Sequence, residues 1–415
     1  MTRRTLILFA LVGALLAGQG TAWAAWLASG GGRAAGRAMA LGTAPAPGIS
    51  VTGGNDVALT IAQTSFKGQL LGAVAGGGWR VTRHDANGVA QSQTAGSTCT
   101  GLLSGSAATL ACAEPNVPEG SWRYAAVPSL QAWRGSESTR TSAVIDSGPP
   151  TLSTLQASDT NANGRIDQVV ATFSENLAAY TAGTTPWTLS GVPSGGSLGS
   201  VSVSGTTATL TVTEGSGAQD TAVGSLTVAL AAAATGIRDA AGNQSAFAAT
   251  APADAAKPLA VAVAAADGAG TTGRMQTGDV LSLTYSEAID PASIVNGWNG
   301  GATSVTVRVD NGSGLFGDDS LTIRSGSSTL DLGSVNLNRY DYVSGGDVDF
   351  TGSTMVRSDA TITVTLGTPD QPSRVVTAGG AENMTWSPST GAADPAGNAA
   401  LGTAVSESGT SDRDF

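Results

Sequence analysis

The chain has 415 residues, of which only 12% are charged, and its formal net charge is −11. This acidic, charge-poor composition excludes a nucleic-acid groove lined with Lys and Arg. The single histidine excludes sites that need two or more, such as most zinc hydrolase centres. The 57 glycines, together with abundant Thr and Ser, favour short strands and turns over long helices.

The N-terminal segment has the pattern of an export signal. Two arginines precede the apolar run 6–16, and a small-x-small cleavage site ends at Ala24. We expect the general secretory route, with a twin-arginine signal and an uncleaved membrane anchor as alternatives. No later segment is apolar and long enough to span a bilayer, so no span is expected after cleavage. Residues 25–44 are rich in Gly and Ala, which predicts a flexible linker.

Cys99 and Cys112 are the only cysteines of the chain. In an exported protein they are expected to form a disulfide, because disulfides persist in oxidising compartments. A loop of this size would stabilise the fold by about 3 kcal/mol. A redox pair is the alternative, although the spacing is far from Cys-x-x-Cys.

Apolar residues alternate with polar ones, mostly threonine, along several segments. The clearest are 207–213, 226–230, 305–309 and 361–366. This period of two indicates strands with one buried face and one solvent face. Short strands separated by Gly, Ser and Asn favour sandwiches over parallel α/β sheets, so the predicted fold class is all-β.

Two parts of the chain share three signals in the same order. Each copy starts with an Asp shortly before proline, continues with Ser-Glu after a strand, and ends in Asp-x-Ala-Gly-Asn. The acidic members are Asp146, Glu175 and Asp239 in the first copy, and Asp254, Glu287 and Asp394 in the second. Such recurrence predicts tandem modules. The Asp-x-Ala-Gly-Asn segments predict turns rather than ligand sets, and the recurring glutamates predict a structural role in each module.

These motifs resemble the bacterial Ig-like modules of secreted surface proteins, the S-layer-type Ig-like group. The resemblance covers about 150–405 and implies β-sandwiches with a spacer or adhesive role. Residues 45–146 resemble a fibronectin type III module. Its strands B, C and F would include 56–60, 78–83 and 120–124, and 137–142 would lead into strand G. One departure is Ile61, which stands where that family has a strand-B tryptophan.

The predicted organisation is three tandem Ig-like or fibronectin III-like β-sandwiches after an N-terminal signal peptide. Its parts are a signal peptide (1–24), a flexible linker (25–44), a fibronectin III-like module (45–146), an Ig-like module (147–254), an Ig-like module with an insertion at about 300–360 (255–405) and a polar tail (406–415).

One loop has the spacing of a calcium-binding segment. Oxygen-bearing side chains occupy its positions 1, 3, 5 and 9, namely Asp159, Asn161, Asn163 and Asp167, with Gly164 at position 6. Position 12 is Val170, so the bidentate glutamate of an EF-hand is missing. Any calcium affinity should be weak, with a Kd of about 0.1–1 mM. The alternative is an Asx-turn loop that leads into the following strand.

Two glycine-rich segments match catalytic motifs without the elements those motifs need. Residues 268–273 match G-x-G-x-x-G, but a strand pattern follows instead of a helix. Residues 195–199 match G-x-S-x-G, but the sole histidine, His84, lies upstream in another module. We expect His84 at a strand end on the solvent face, and we expect no catalytic residue.

The sequence therefore predicts a non-catalytic secreted or cell-surface protein with a structural, adhesive or spacer role. Calcium is the one candidate ion, no other cofactor is expected, and the partner would be an unknown surface protein or a glycan. The alternative is a carbohydrate-binding accessory protein associated with polysaccharide degradation, for which Trp133 is the tryptophan expected to be exposed.

Overall fold

The computed structural model describes residues 40–52, 55–268, 270–312 and 317–415. The predicted signal peptide, 1–24, and most of the predicted linker lie outside these residues. Within them, the only α-helix is α1 (Pro291–Ile294), whose N-cap Asp290 accepts a hydrogen bond from the Ala292 amide. Short 3₁₀ turns occur at Leu71–Ala73, Pro193–Gly195 and Val223–Ser225. In this part of the chain no helix is long and apolar enough to cross a membrane.

The described residues fall into two compact units. The first comprises those up to Pro149 together with Ala241–Asn243, and the second comprises Pro150–Ala240 and Gln244–Phe415. The first unit has one hydrophobic core, and the second has two, over 152–256 and 260–415. The module boundaries predicted from the sequence remain predictions.

The first unit is a β-sandwich with ten strands. They are β1 (Gly48–Thr52), β2 (Asp56–Ala62), β3 (Ser65–Phe66), β4 (Gln69–Leu70), β5 (Gly77–His84), β6 (Ala90–Gln91), β7 (Thr109–Glu114), β8 (Gly120–Leu130), β9 (Trp133–Arg134) and β10 (Thr141–Ile145). One sheet has the order β1-β2-β7, and the other has the order β10-β8-β5-β6 with β9 paired to β8. The predicted strand B is part of β2 in one sheet, and the predicted strands C, F and G correspond to β5, β8 and β10 in the other.

A disulfide bond lies in the core of this unit. Val57, Leu59 and Ile61 alternate inward from β2, and Ile61 is fully buried where the family tryptophan would lie. Cys112 on β7 is bonded to Cys99, which confirms the predicted disulfide. Both cysteines belong to the same hydrophobic cluster as Trp79, which is fully buried.

The first core of the second unit lies between two sheets. Its strands are β11 (Leu152–Ser158), β12 (Gln168–Phe173), β13 (Trp187–Ser190), β14 (Ser197–Ser204), β15 (Thr207–Thr213), β16 (Thr227–Leu230), β17 (Phe247–Thr250) and β18 (Ala253–Asp254). The sheets have the orders β14-β15-β12-β11-β18 and β13-β16-β17. The pair β11–β18 is parallel, with Ala157 opposite Asp254.

The second core of this unit is enclosed by one continuous ten-stranded sheet. Its strands are β19 (Ala260–Ala266), β20 (Val280–Tyr285), β21 (Thr303–Asp310), β22 (Ser320–Ser325), β23 (Ser328–Asn336), β24 (Val348–Ser358), β25 (Thr361–Thr365), β26 (Thr368–Pro369), β27 (Thr385–Ser387) and β28 (Val405–Ser406). The order is β19-β20-β25-β24-β21-β22-β23-β27-β28, with β26 paired to β24. The predicted insertion, about 300–360, supplies β21, β22, β23 and β24, which lie in the middle of this sheet.

The predicted alternation of buried and exposed residues is confirmed. Ala208, Leu210 and Val212 of β15 are buried while the threonines between them are not. The same pattern holds for β16, β21 and β25. At the end of the sequence, however, Phe415 is 1% exposed and packs edge-on against Tyr342, with ring centroids 6.4 Å apart. Nothing in the predicted polar tail, 406–415, indicated this packing.

Candidate functional site

Three acidic residues of the second sequence repeat meet at one place in the second unit. Asp254 ends β18, Glu287 lies two residues beyond β20, and Asp394 begins the turn 394–398. One carboxylate oxygen of each lies within 4.8 Å of the other two. Glu287 and Asp394 are 4% and 2% exposed, and Asp254 is half-buried. The sequence predicted separate structural roles for these residues and missed that they form one cluster, here called the junction triad.

The Asp394–Asn398 segment is a turn, as predicted. The Asp394 carboxylate accepts hydrogen bonds from the backbone amide and from Nδ2 of Asn398, both at 2.8 Å, and Gly397 has a φ of 92°. Asn398 Nδ2 also donates to the carbonyl of Asp254 at 3.3 Å. In the other repeat, Asn243 Nδ2 donates to the carbonyl of Asp146 at 2.9 Å. In both repeats the final Asn therefore fastens the turn to the residue with which the repeat begins.

A hydroxyl group, that of Thr221, is hydrogen-bonded to the junction triad. Its Oγ1 lies 2.7 Å from Glu287 Oε1 and 2.7 Å from Ser286 Oγ, and its backbone amide donates to the Ser286 carbonyl at 3.1 Å. Ser286 Oγ also accepts from the Leu259 amide at 2.9 Å. Thr221 lies between β15 and β16, which contribute to the first core, so this buried network joins the two cores. No sequence motif marked Thr221.

Burial raises the pKa of Glu287 to about 8, opposed by the hydrogen bond from Thr221 and reinforced by the charges of Asp254 and Asp394. Burial also raises the pKa of Asp254, with a further contribution from the charge of Asp394. Glu287 therefore retains a proton at neutral pH. A proton held among three carboxylates relieves the repulsion that three buried negative charges would otherwise produce.

The junction triad offers two kinds of chemistry besides this structural role. Its oxygen atoms are close enough to bind a divalent cation, and a pair of adjacent carboxyl groups, such as Glu287 and Asp394, is the arrangement of retaining glycosidases. Glu287 does line a cavity of about 800 Å³, together with Arg165, Asp220 and Asp359. Asp394 does not line this cavity, so a substrate bound there would contact only one carboxyl group of the pair. The geometry favours a structural role.

The predicted calcium loop folds as a set of Asx turns. The Asp159 carboxylate accepts from the amides of Asn163 at 3.2 Å and Gly164 at 2.6 Å, and Gly164 has the positive φ that the turn requires. Asn161 Oδ1 accepts from the Asn163 amide at 3.1 Å. The Asp167 carboxylate accepts from the amide and hydroxyl of Thr160. The four predicted residues thus belong to one compact loop before β12.

A fifth residue, Glu214, reaches this loop from the end of β15. Its carboxylate accepts from Nδ2 of Asn161 at 2.8 Å and from Nδ2 of Asn163 at 2.8 and 2.9 Å. Glu214 therefore adds a carboxylate to this loop, whose own position 12 is Val170. Only the pairing of strands could have indicated Glu214. Because β15 runs antiparallel to β12 with Gln168 opposite Thr211, the residue that follows β15 lies beside the loop that precedes β12.

The first unit contains a buried ion pair that the sequence did not reveal. Arg83 Nη1 lies 2.6 Å from Glu114 Oε1, and both side chains are almost fully buried. The hydroxyl of Tyr124 donates to the other Glu114 oxygen at 2.9 Å, and the Arg83 guanidinium stacks 4.4 Å from the Trp122 ring. Burial and the bond to Glu114 raise the pKa of Tyr124, so it remains a hydrogen-bond donor at neutral pH.

The remaining sequence candidates are strands and loops. His84 is the last residue of β5, as predicted, but it is 4% exposed and lies 3.7 Å from Glu137, so its predicted position on the solvent face is wrong. Residues 268–273 belong to the segment between β19 and β20, and its described residues, 267, 268 and 270–279, contain no helix. Ser197 begins β14 instead of standing at a strand-to-helix turn. The two catalytic look-alike motifs thus lack the local structure that their chemistry requires.

Trp133 is exposed, as the sequence predicted, at 39%. It lies on β9 and lines an open cavity of about 510 Å³ in the first unit. Phe66, Lys67, Gln69 and Gln131 line the same cavity. The cavity therefore combines two aromatic rings with two amides and one ammonium group.

No family model matches the sequence. No curated protein matches it either. Among solved structures, the chain is similar to the FN1–FN3 domains of chicken CNTN1, with 7% identity and a TM-score of 0.26 over 88% of this chain and 98% of that one. It is also similar to domains A168–A170 of titin, with 12% identity and a TM-score of 0.19 over 78% and 95%. Such low TM-scores carry no structural argument, so the β-sandwich architecture rests on the strand pairing described above.

The buried Glu287 predicts a stability that falls as pH rises. Its pKa is about 8 in the folded chain against an ordinary 4.5, so between these values the folded state keeps a proton that the unfolded state has lost. The contribution of this group is complete below about pH 4.5 and is lost by about pH 8, with a slope of up to ~1.4 kcal/mol per pH unit. Thermal unfolding of the full chain in chelator should show this decline.

The variant Glu287→Gln cannot ionise and should have a flatter profile between about pH 5 and pH 8. Glu382→Gln, which changes an exposed carboxylate, is the matched control and should keep the wild-type slope. A slope that is the same in Glu287→Gln and in the wild-type chain would contradict a protonated Glu287.

Proposed function

We propose that this chain is a non-catalytic modular protein, exported to the cell surface or the extracellular medium, whose tandem β-sandwiches serve as a structural, adhesive or spacer element. The S-layer-type Ig-like motifs of its sequence suggest this role. The disulfide Cys99–Cys112 fits an oxidising compartment. What favours a spacer most directly is the connection between the two cores of the second unit.

The connection is short, and Asp254 at its start contacts both cores. Asp254 pairs with β11 of the first core through its backbone, while its carboxylate belongs to the junction triad with Glu287 and Asp394 of the second core. Only residues 255–259 separate it from β19. The backbone bond between Thr221 and Ser286 adds a further link. Flexible linkers lack such contacts, so this junction suits an element that maintains a fixed distance.

Fractionation of cells that produce the full chain tests the proposal. We expect the protein in the washed envelope or in the medium, with its signal removed after Ala24, because the role requires export. Cytoplasmic retention of the soluble chain would contradict it. Turnover in a broad hydrolase screen that Glu287→Gln abolishes would overturn the non-catalytic assignment.

The Trp133 cavity favours carbohydrate binding as a second candidate function. Aromatic rings stack on sugar faces while amides bond hydroxyl groups, and the cavity offers both. On a glycan array, the full chain should bind one class of glycan, and Trp133→Ala should reduce that binding tenfold or more, an effect of about 1.4 kcal/mol or more. Val144→Ala, which removes an exposed apolar side chain elsewhere in the same unit, should bind normally. Equal binding by Trp133→Ala would exclude this cavity.

We also propose that the loop 159–167 binds calcium weakly, through Asp159, Asn161, Asn163 and Asp167, with Glu214 as an additional carboxylate. Rotation of the two asparagine amides would turn their oxygens toward the position that Glu214 faces. The donors are the hard oxygen ligands that calcium prefers.

Amide exchange of the peptide covering 159–168 reports on this loop alone. In the full chain, about 10 mM calcium should slow it roughly tenfold or more if the Kd is about 0.1–1 mM. Asp159→Asn and Glu214→Gln should each lose most of this protection, and Glu382→Gln, which changes an exposed carboxylate of the second core, should keep it. Exchange that calcium leaves unchanged in the wild-type chain would contradict the site.

A further inference from the structure

The last nine residues of the sequence are attached to the second core of the second unit. The Glu382 amide donates to the Asp412 carbonyl at 3.0 Å, and the Gly273 amide donates to the Phe415 carbonyl at 2.5 Å. The buried Phe415 ring contacts Tyr342. This segment, 407–415, is called the C-terminal clasp below.

The clasp brings three carboxylates together. One oxygen of each of Glu407, Asp412 and Asp414 lies within 4.8 Å of the others. Asp414 is 3% exposed, and its Oδ1 has no hydrogen-bond partner. Its other oxygen has one long contact, a hydrogen bond of 3.4 Å from the hydroxyl of Tyr342. Native folds rarely leave a buried carboxylate oxygen without a donor, so this one calls for an additional ligand.

No cationic side chain of the described residues forms an ion pair with these carboxylates. Arg413, although it lies between Asp412 and Asp414 in the sequence, is directed toward Gly273. Beside the cluster, Asn383 donates from Nδ2 to the Glu407 carbonyl at 2.9 Å, while its Oδ1 is buried and also unpartnered. The surroundings thus contain acceptor oxygens in excess of donors.

We propose that Glu407, Asp412 and Asp414 bind a calcium ion that fastens the C-terminal clasp to the second core of this unit. The ligand set consists of carboxylate oxygens without nitrogen or sulfur, which suits calcium and does not suit zinc. The accessible Asp412 would give the ion a route to the buried Asp414.

Hydrogen exchange of the peptide 404–415 in the full chain tests this site apart from the loop 159–167. With a Kd of about 0.1–1 mM, about 10 mM calcium should slow exchange of the clasp roughly tenfold or more relative to chelator. The protection should persist in Asp159→Asn, which affects only the loop. Calcium-independent exchange of the clasp in the wild-type chain would overturn the proposal.

Two variants identify the ligands. Asp414→Asn removes the buried ligand, and Asp412→Asn removes an exposed one while keeping the backbone bond to Glu382, so the second variant is informative even if the first fails to fold. Asp412→Asn should lose at least most of the calcium protection. Glu382→Gln, whose backbone pairs with Asp412 but whose carboxylate lies outside the cluster, should retain it. Full protection in a folded Asp412→Asn would also overturn the proposal.

Discussion

Buried carboxylates in this chain must find partners among few cations. The sequence has 31 Asp and Glu against 20 Lys and Arg. A buried carboxylate without compensation is costly, so each one has to be satisfied by whatever its local fold supplies. Glu114 receives a guanidinium group from Arg83. Asp319, which is fully buried, accepts instead from three backbone amides, those of Gly312, Tyr342 and Val343.

The same constraint produces the two acidic clusters of the second unit. Glu287 obtains a hydroxyl bond from Thr221 and a proton, and in this form it joins the two cores. Asp414 accepts a long hydrogen bond from Tyr342 at one oxygen, and its other oxygen, Oδ1, faces no donor. The buried oxygens of Glu287 are satisfied by protein groups, whereas Asp414 Oδ1 has no hydrogen-bond partner among the described residues. This difference is why the proposed ion belongs to the clasp.

Local patterns in the sequence predicted the features that depend on local physics. The alternation along 207–213 gives β15 its buried face whatever strand lies beside it, and Gly164 marks the loop because its turn needs a positive φ. Convergence of distant side chains could not be predicted in this way. Glu214 reaches Asn163 only because β15 pairs with β12 in one register, and a shift of one residue would turn it to the other face.

The junction triad was only partly predictable from the sequence. All three of its acids were recognisable as recurring residues, but their meeting depends on where β18, β20 and the turn 394–398 lie in three dimensions. The burial of Phe415 is similar, since an aromatic residue after a polar stretch has no periodic pattern to indicate a face. His84 was misplaced for a related reason, because a strand end is not necessarily at the surface.

The hydrogen bond from Asn398 to the Asp254 carbonyl has a mechanical consequence. It connects a turn near the end of the final repeat to the residue where that repeat begins, and the nearby Leu401 amide also bonds the Pro258 carbonyl at 2.9 Å. A pulling force transmitted through Asp254 would act on these two bonds before it could peel β19 from β20. The turn motif would therefore resist extension of the chain at the point where it enters the ten-stranded sheet.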